Sequence, residues 1–252
     1  MTATLAWYFA ADNGRETYGR RRKIEVGKRL AVRGTPVPCQ YGMHASVLPL
    51  DALSQAHGTL VCRVEIGGGI ANDGDKIVGQ WRHTFAMADA SEVLHEFACY
   101  CADRALNAER AAGREPDSRS WAAVQAKRDW LAGLIDDEQL KAASKAAPWE
   151  KNLPASWDAV EWQDVEQAIE RAAAWAAVFD ARTAAGTAAS NAQSAAGMAV
   201  RRALERAAGR VSKRDASTKA REWHEARMAA QKQEAAVQNA ELERRLCALL
   251  AL

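Results

Sequence analysis

No apolar run in this sequence approaches the roughly 18 residues that a membrane-spanning helix needs. The first ten residues are apolar but lack a basic start, and Asp12 and Asn13 follow them, which predicts a first strand and not a signal peptide. The five cysteines show neither Cys-x-x-Cys spacing nor Cys/His clustering, so we expect reduced thiols and no structural zinc site. Together these absences predict a cytoplasmic protein without a membrane partner or a metal.

A large net charge is also absent, because the formal total is only +2. The distribution is uneven, however: residues 15–33 contain eight basic and two acidic side chains, a local sum of +6. Such a stretch can contact phosphates or an acidic protein face, and a solvated loop is the alternative. Tyr18 is its single aromatic residue, which gives base stacking little support. The candidate partner-binding residues are Arg20, Arg21, Arg22, Lys23, Lys28 and Arg29.

Alternation and turn residues predict a small mixed α/β head over residues 1–87. A short helix is expected to begin at Pro49, because proline suits the first helical turn. The clearest strand is rich in β-branched residues and ends at Gly67, the first of three consecutive glycines, which are typical of a turn or bulge. The predicted strands are 5–10, 23–27, 29–34, 60–66 and 76–85.

Residues 88–252 predict a larger, all-helical, alanine-rich domain that begins at a cap formed by Asp89. The predicted fold class is therefore α+β. Three similar segments each contain a tryptophan followed three residues later by valine, which favours degenerate helical-hairpin repeats. Chance similarity in alanine-rich sequence is the alternative. The segments are 120–124, 156–160 and 174–178.

The last stretch of the sequence is strongly charged, and leucines then recur at three- and four-residue spacing, for example at Leu242 and Leu246. This pattern predicts a long, exposed helix whose end docks on another surface. Its own helical bundle is the favoured surface, because sustained heptads for a dimer seam are lacking.

The segment 41–76 carries the most specific order of motifs. It contains Gly-Met-His-Ala-Ser, then Pro-Leu-Asp-Ala-Leu, then Val-Glu-Ile-Gly-Gly-Gly-Ile and then Gly-Asp-Lys. In these motifs and their order, residues 5–85 resemble an uncharacterised domain that is common in phage and prophage proteins. The resemblance implies a mobile-element origin and carries no activity.

A weaker resemblance is to ADP-ribosyltransferase folds of the rifampin-modifying type. Glu65 matches the strand glutamate of that family, while His44 stands where the family has tyrosine and Ser46 where it has threonine. The His-Gly-Thr motif of the family is missing from the first strand, which reads Trp-Tyr-Phe-Ala. The resemblance implies an acid–base pair of His44 and Glu65 in a cleft between residues 41–46 and 60–66. The alternatives are a hydrogen-bonded structural histidine and an exposed or paired carboxylate.

Three functions from different classes remain open. The first is a phage or mobile-element protein that binds a host protein or nucleoprotein complex and inhibits host defence, as an anti-CRISPR protein does. It follows from the phage-like head, the incomplete catalytic set, and the Trp and Arg residues typical of interface hot spots; residues 15–33 would supply any direct nucleic-acid contact. The second is an ADP-ribosyltransferase-like enzyme that uses a nicotinamide dinucleotide, and the third is an oligomerising scaffold. We favour the first, which needs neither cofactor nor metal.

Overall fold

The computed structural model describes residues 3–17, 21–147, 165–208 and 216–252, and the protein is α+β, as predicted. The strands and one short helix occupy the N-terminal part, and the other helices follow. The strands are β1 (Thr4–Ala10), β2 (Arg29–Ala31), β3 (Met43–Ala45), β4 (Leu60–Gly67), β5 (Ala71–Asp73), β6 (Lys76–Gly79) and β7 (Trp81–Asp89). The helices are α1 (Pro49–Ser54), α2 (Ser91–Ala111), α3 (Ser118–Leu131), α4 (Asp137–Ala146), α5 (Val165–Ala176), α6 (Ala181–Ala208) and α7 (Ala216–Leu250).

The chain divides into two compact units. Unit 1 combines Met1–Leu94 with Asn239–Leu252, and unit 2 is His95–Gln238. The sequence predicts one boundary, between residues 87 and 88. The observed division lies inside α2 and recurs inside α7, so unit 1 is discontinuous in sequence.

Unit 1 contains two antiparallel sheets. The larger sheet has the strand order β1-β4-β7-β2, and the smaller sheet has the order β3-β6-β5. Trp7 and Ser46 exchange two backbone hydrogen bonds of 2.7 and 2.9 Å, which join β1 to the residue after β3. As a result, β3 lies close to β1, β4 and β7 of the larger sheet.

The core of unit 1 is formed by side chains from both sheets. Its buried members are Ala6, Ala10, Ile24, Met43, Ala45, Cys62, Val64, Ile66 and Ile77. Side chains alternate between the two faces of a strand. We therefore call the face of the larger sheet that carries Ala6, Val64 and Ile66 the inner face, and the opposite face the outer face.

The single strand predicted over residues 76–85 is wrong, because the structure forms two strands in different sheets. The chain forms β6, turns at Gln80 and continues as β7. Gly79 allows the two sheets to approach here, since a Cβ atom at this position would lie 2.6 Å from the carbonyl oxygen of Gly67. A periodicity argument could not detect this break, because it depends on the approach of Gly79 to Gly67, which are distant in sequence.

The edge strands predicted before residue 35 are only partly present. β2 covers the start of the predicted strand 29–34, and it is the edge of the larger sheet. The predicted strand 23–27 is wrong: Lys23 forms an isolated bridge with Arg15, and the amide of Ile24 donates to the carbonyl of Gly14. Both contacts join residues 23–24 to residues 14–15, so this segment is a loop stabilised by its own backbone hydrogen bonds and not a strand of either sheet.

The C-terminal part of α7 belongs to unit 1. α1 begins at Pro49, as predicted, and has no side-chain cap from its own N-terminus. The amide of Leu50 instead donates to Oδ1 of Asn239 at 3.0 Å. Leu242 and Leu246 are fully buried. The leucine-rich end of the last helix therefore docks within the same chain, in the unit that contains the sheets.

Alanine fills the core of unit 2, where α5 and α6 pack closely. Alanine has the highest helix propensity and a small side chain, so neighbouring helices can approach. At Gly197 even one methyl group would not fit, because a Cβ atom would lie 2.6 Å from Cγ of Gln231 in α7. The alanines that α6 buries are Ala181, Ala184, Ala185, Ala188, Ala189, Ala192 and Ala195.

The proposed helical repeats stay a prediction. Residues 120–124 lie near the start of α3, whereas residues 174–178 begin in the last turn of α5 and continue past its end. The remaining segment, 156–160, lies outside the described residues.

Candidate functional site

A row of side chains crosses the outer face of the larger sheet. The strand register places Leu5 opposite Glu65, Glu65 opposite His83, and His83 opposite Arg29. Opposed residues in an antiparallel pair have Cβ atoms about 4.5–5.5 Å apart, so the row is continuous over four strands. Leu5 is 53% exposed and Arg29 is also exposed, which leaves both ends of the row open to solvent.

A β-bulge in β7 adds a second ring beside this row. The register with β4 shifts between Arg63 and Val64, where Phe85 has no partner. The ring of Phe85 lies against that of His83, with centroids 4.6 Å apart and planes at 64°. Met87 then packs against the inner core, which shows that the bulge changes the alternation of β7. Phe85 remains 41% exposed on the outer face.

Trp81 and Arg29 form a stacked pair next to the row. The indole of Trp81 lies across Gly67, where a Cβ atom would be 2.2 Å from the ring. The guanidinium carbon of Arg29 is 4.0 Å from the ring centroid of Trp81, a cation–π contact that holds the planar group on the outer face. We call the following residues the outer-face cluster: Arg29, Glu65, Trp81, His83 and Phe85.

Arg22, one of the predicted partner-binding cations, is used inside unit 1. It donates to Glu16 at 2.8 Å, to the carbonyl of Ala31 at 2.7 Å and to the sulfur of Met43 at 3.1 Å. These contacts fasten the basic loop to both sheets. Its neighbour Arg21 is exposed and adopts a φ of +49°.

The other predicted cations have different surroundings. Lys28 is exposed and pairs with Glu25 at 2.5 Å, a contact that lowers the pKa of this carboxyl. Lys23 is exposed, and Arg29 belongs to the outer-face cluster. Arg20 lies outside the described residues. Among the described members of the predicted set, Arg29 is the residue that the fold places beside aromatic rings.

Glu16 is the centre of a buried polar cluster on the inner face. Besides Arg22 it accepts from Arg82 at 3.5 Å, and Arg82 is only 2% exposed. Arg82 also donates to the carbonyl of His44 at 2.8 Å, and its guanidinium lies 3.6 Å from the ring centroid of Tyr8. Buried charges are costly unless they are paired. The pairing of Glu16 with two arginines is therefore structural.

His44 points away from the core of unit 1, because it alternates with the core residues Met43 and Ala45 on β3. Burial, followed by the charges of Arg82 and Lys76, lowers the pKa of His44. The imidazole is therefore neutral at pH 7. Its Nε2 atom is buried and has no hydrogen-bond partner within the described parts of the chain.

Ser46 and Glu65 do not join His44 in one cleft. Ser46 is buried, and its backbone is bonded to Trp7. Glu65 alternates with Val64 on β4 and so lies on the outer face, across the larger sheet from β3. This arrangement gives an acid–base pair of His44 and Glu65 no common space for a substrate.

Unit 2 contains a separate titratable cluster. Lys127 is fully buried, donates to the carbonyl of Val178 at 2.7 Å and lies 4.2 Å from the ring centroid of Trp130. Burial lowers the pKa of Lys127 to about 8. Burial also lowers the pKa of His95, whose ring meets that of Trp130 edge-on at 5.3 Å, to about 4. These contacts join α2, α3 and the residues that follow α5.

Among the described residues, no group of three or more His, Cys, Asp or Glu side chains could hold a metal ion. A membrane-spanning helix is likewise not found in the described ranges, where none combines sufficient length with sufficient apolar character.

Three members of the outer-face cluster are missing from the sequence-based candidates. Trp81, His83 and Phe85 alternate in sequence, which is the signal of one face of a strand. The pairing of β2 with β7, which brings Arg29 beside them, is not local in sequence and leaves no such signal.

No protein-family model, curated protein or solved structure matches the chain. The functional conclusion therefore rests on the residues themselves, and the two resemblances described above stay predictions.

Proposed function

We propose that the protein is a binding protein of a phage or other mobile element and acts on a macromolecular host target, a protein or a nucleoprotein complex. An inhibitor of a host defence complex, such as an anti-CRISPR protein, is the specific form of this proposal. The mobile-element origin and a cytoplasmic location rest on the sequence, chiefly on the motif order of residues 41–76.

The outer-face cluster is the observation that carries the binding function. Tryptophan and arginine are the residues most enriched at interface hot spots. Here the exposed Arg29 stacks on Trp81 on the outer face, and Phe85 lies beside them with 41% of its surface exposed. An exposed ring contributes little to folding, so its place on a cationic sheet face favours a role in binding.

The candidate catalytic residues favour binding over catalysis. His44 and Glu65 lie on faces that do not share a cleft. Two such groups cannot pass a proton through one substrate.

Capture of host macromolecules by the immobilised full-length protein tests the proposal. The lysate should come from a bacterium with an active CRISPR system. Arg29→Ala/Phe85→Ala removes two members of the outer-face cluster, whereas Arg221→Ala/Leu134→Ala removes an exposed arginine and an exposed leucine elsewhere. We expect the wild type and the second variant to capture the same host complex, and the first variant to lose at least tenfold of it.

Plasmid clearance in the same bacterium gives the functional readout. Expression of the wild type should protect a plasmid that carries a CRISPR target, and the Arg29→Ala/Phe85→Ala variant should not protect it. Failure of both capture and protection, or equal behaviour of the two double variants, would show that the proposal is wrong.

A further inference from the structure

We infer that the outer-face cluster binds a single-stranded nucleic acid, with bases stacked on Arg29 and Phe85 and with phosphates along the edge strand β2. The inference rests on the proposed function, because it names the chemical class of the target. Four features support the inference. They are the planes of the aromatic rings, the fixed guanidinium of Arg29, the local positive charge and the carboxylate of Glu65.

The rings of β7 are arranged for stacking. Sheets that bind single strands present aromatic side chains from alternate strand positions, and unpaired bases stack on them. His83 and Phe85 occupy such positions on the outer face, and the edge-on contact of their rings fixes both planes. Stacking accepts any base, because every base has an aromatic face.

Arg29 extends this platform. Its guanidinium already lies over the indole of Trp81 at 4.0 Å, and Gly67 supports the other side of that ring. A guanidinium plane can stack with a base while its edges donate to phosphate or base oxygens. Because the group is held before binding, less conformational freedom is lost when a ligand arrives.

The charge along β2 complements a phosphate backbone. Arg29 on β2 and Arg33 just beyond its end are exposed, and in the described part of the chain no ion pair joins either side chain to a carboxylate. A nucleic acid strand places a negative charge at every nucleotide, so it can occupy the cations at the edge and the rings on the face at once. An acidic protein surface would pair with the cations but would not stack on the aromatic rings.

The carboxylate of Glu65 is suited to contact the bases of the ligand and not its phosphates. It lies opposite His83 in the middle of the cluster, and among the described residues no hydrogen bond or ion pair reaches its carboxylate. A carboxylate repels phosphate but accepts from the amino group of cytosine. Uracil carries a carbonyl at the corresponding position. The site should therefore prefer cytosine to uracil.

Fluorescence anisotropy with labelled 20-nucleotide probes tests the inference in the full-length protein. The probes are oligocytidine and oligouridine as RNA, oligodeoxycytidine as DNA, and a 20-base-pair duplex, each at low and high salt. We expect single strands to bind at least tenfold more tightly than the duplex, and affinity to fall as salt rises. The RNA and DNA arms distinguish the two sources of the same base and phosphate chemistry.

Four variants separate the contributions. Phe85→Ala should weaken single-strand binding roughly 5- to 150-fold, the range expected for one lost stacking contact. Arg29→Lys keeps the charge and loses the plane, so it should also weaken binding. Glu65→Gln should reduce the preference for cytosine, because an amide both accepts and donates. Arg221→Ala, far from the cluster in sequence and equally exposed, should bind as the wild type does.

Equal affinity for the duplex, or unchanged binding in both Phe85→Ala and Arg29→Lys, would overturn the inference. Circular dichroism of each variant shows whether it is folded, and the exposed position of Phe85 makes it a safe truncation. If no oligonucleotide binds but a host protein is captured through the same cluster, the nucleic-acid inference fails and the proposed function stands. If neither nucleic acid nor protein binds, both fail.

Discussion

Unit 1 buries large side chains on both faces of its larger sheet, whereas unit 2 buries mainly alanine between its helices. Trp7, Phe9 and Ile66 are among the most buried residues of unit 1, while in unit 2 α6 alone contributes a stripe of seven buried alanines. Large side chains tolerate wide element spacing but leave a cavity when they are shortened. A buried alanine has little side-chain volume to lose, but a larger side chain in its place does not fit between the helices. Shortened side chains should therefore destabilise unit 1 most, and enlarged side chains should destabilise unit 2 most.

Close helix packing also brings polar groups into the core of unit 2. Gln238 is fully buried, and its amide nitrogen donates to the carbonyl of Ala189 while its oxygen accepts from Gln193 at 2.7 Å. Lys127 is buried in the same unit. In unit 1 the comparable buried charges, Glu16 and Arg82, are paired with each other.

Truncation of Trp7 is the largest expected effect on unit 1. Trp7 is fully buried on the outer face, under the guanidinium of Arg63. Trp7→Ala should cost about 3–5 kcal/mol, because it leaves a cavity of ring size. Leu5→Ala, on the same strand and face but half exposed, should cost less than about 1 kcal/mol. Hydrogen exchange of peptides from β4 measures both, and equal losses would contradict the comparison.

The pH dependence of unit 2 is the next largest effect. Burial lowers the pKa of Lys127 from 10.5 to about 8 and that of His95 from 6.5 to about 4. Between pH 4 and 6.5, and again between pH 8 and 10.5, the unfolded unit therefore binds more protons than the folded unit. Stability must rise with pH across both windows, by up to about 3 kcal/mol each.

Thermal unfolding across these windows tests the assignment. Lys127→Met removes the ammonium and keeps an unbranched side chain of similar length, so it should abolish the rise between pH 8 and 10.5. The rise between pH 4 and 6.5 should remain, because His95 is unchanged. A basic-side rise that persists in Lys127→Met would exclude Lys127 as its source.

Added volume is expected to disrupt unit 2. Ala188 is fully buried in α6, and Ala188→Leu should cost about 1–3 kcal/mol by forcing α5 and α6 apart. Ala203 is exposed on the same helix, so Ala203→Leu should change stability by less than about 0.5 kcal/mol. Hydrogen exchange of peptides from α5 should accelerate in the first variant. Similar exchange in both would mean that the alanine stripe is not tightly packed.

Two glycines of α6 offer the smallest and most closely matched test. At Gly186 a methyl group would meet nothing within 4 Å, so Gly186→Ala should stabilise the helix by about 0.5–1 kcal/mol. At Gly197 it would meet Gln231 and Arg227 of α7. Gly197→Ala should therefore lose this gain and lower the melting temperature relative to Gly186→Ala. The opposite order would show that α6 and α7 can separate at no cost.

The sequence predicts the parts of the fold whose determinants are local. β1, β4 and α1 follow from alternation and from Pro49. The cap of α2 also follows, since Asp89 accepts from the amide of Ser91 at 2.9 Å, as predicted. The sequence does not predict the break at Gln80, because this break depends on the close approach of Gly79 to Gly67, which are distant until the sheets form.

The candidate site is less predictable for the same reason. Arg22 and Arg29 belong to one cationic stretch. Arg22 nevertheless donates hydrogen bonds to Glu16 and Met43 inside unit 1. Arg29 instead stacks on Trp81. Composition cannot separate two such residues, because their roles depend on the register between β2 and β7. A basic stretch indicates that a partner is negatively charged, and the fold then decides which cations are available.

Because unit 1 includes Asn239–Leu252, it cannot be completed until the ribosome has added those residues. The intervening unit, His95–Gln238, takes roughly 7–30 s to translate at about 5–20 residues per second. Throughout that interval the amide of Leu50 lacks its acceptor on Asn239, and the surface that Leu242 and Leu246 cover stays open to water or to a chaperone. Residues 1–94 are thus translated well before the C-terminal residues that complete their unit, and unit 2 can fold before unit 1 does.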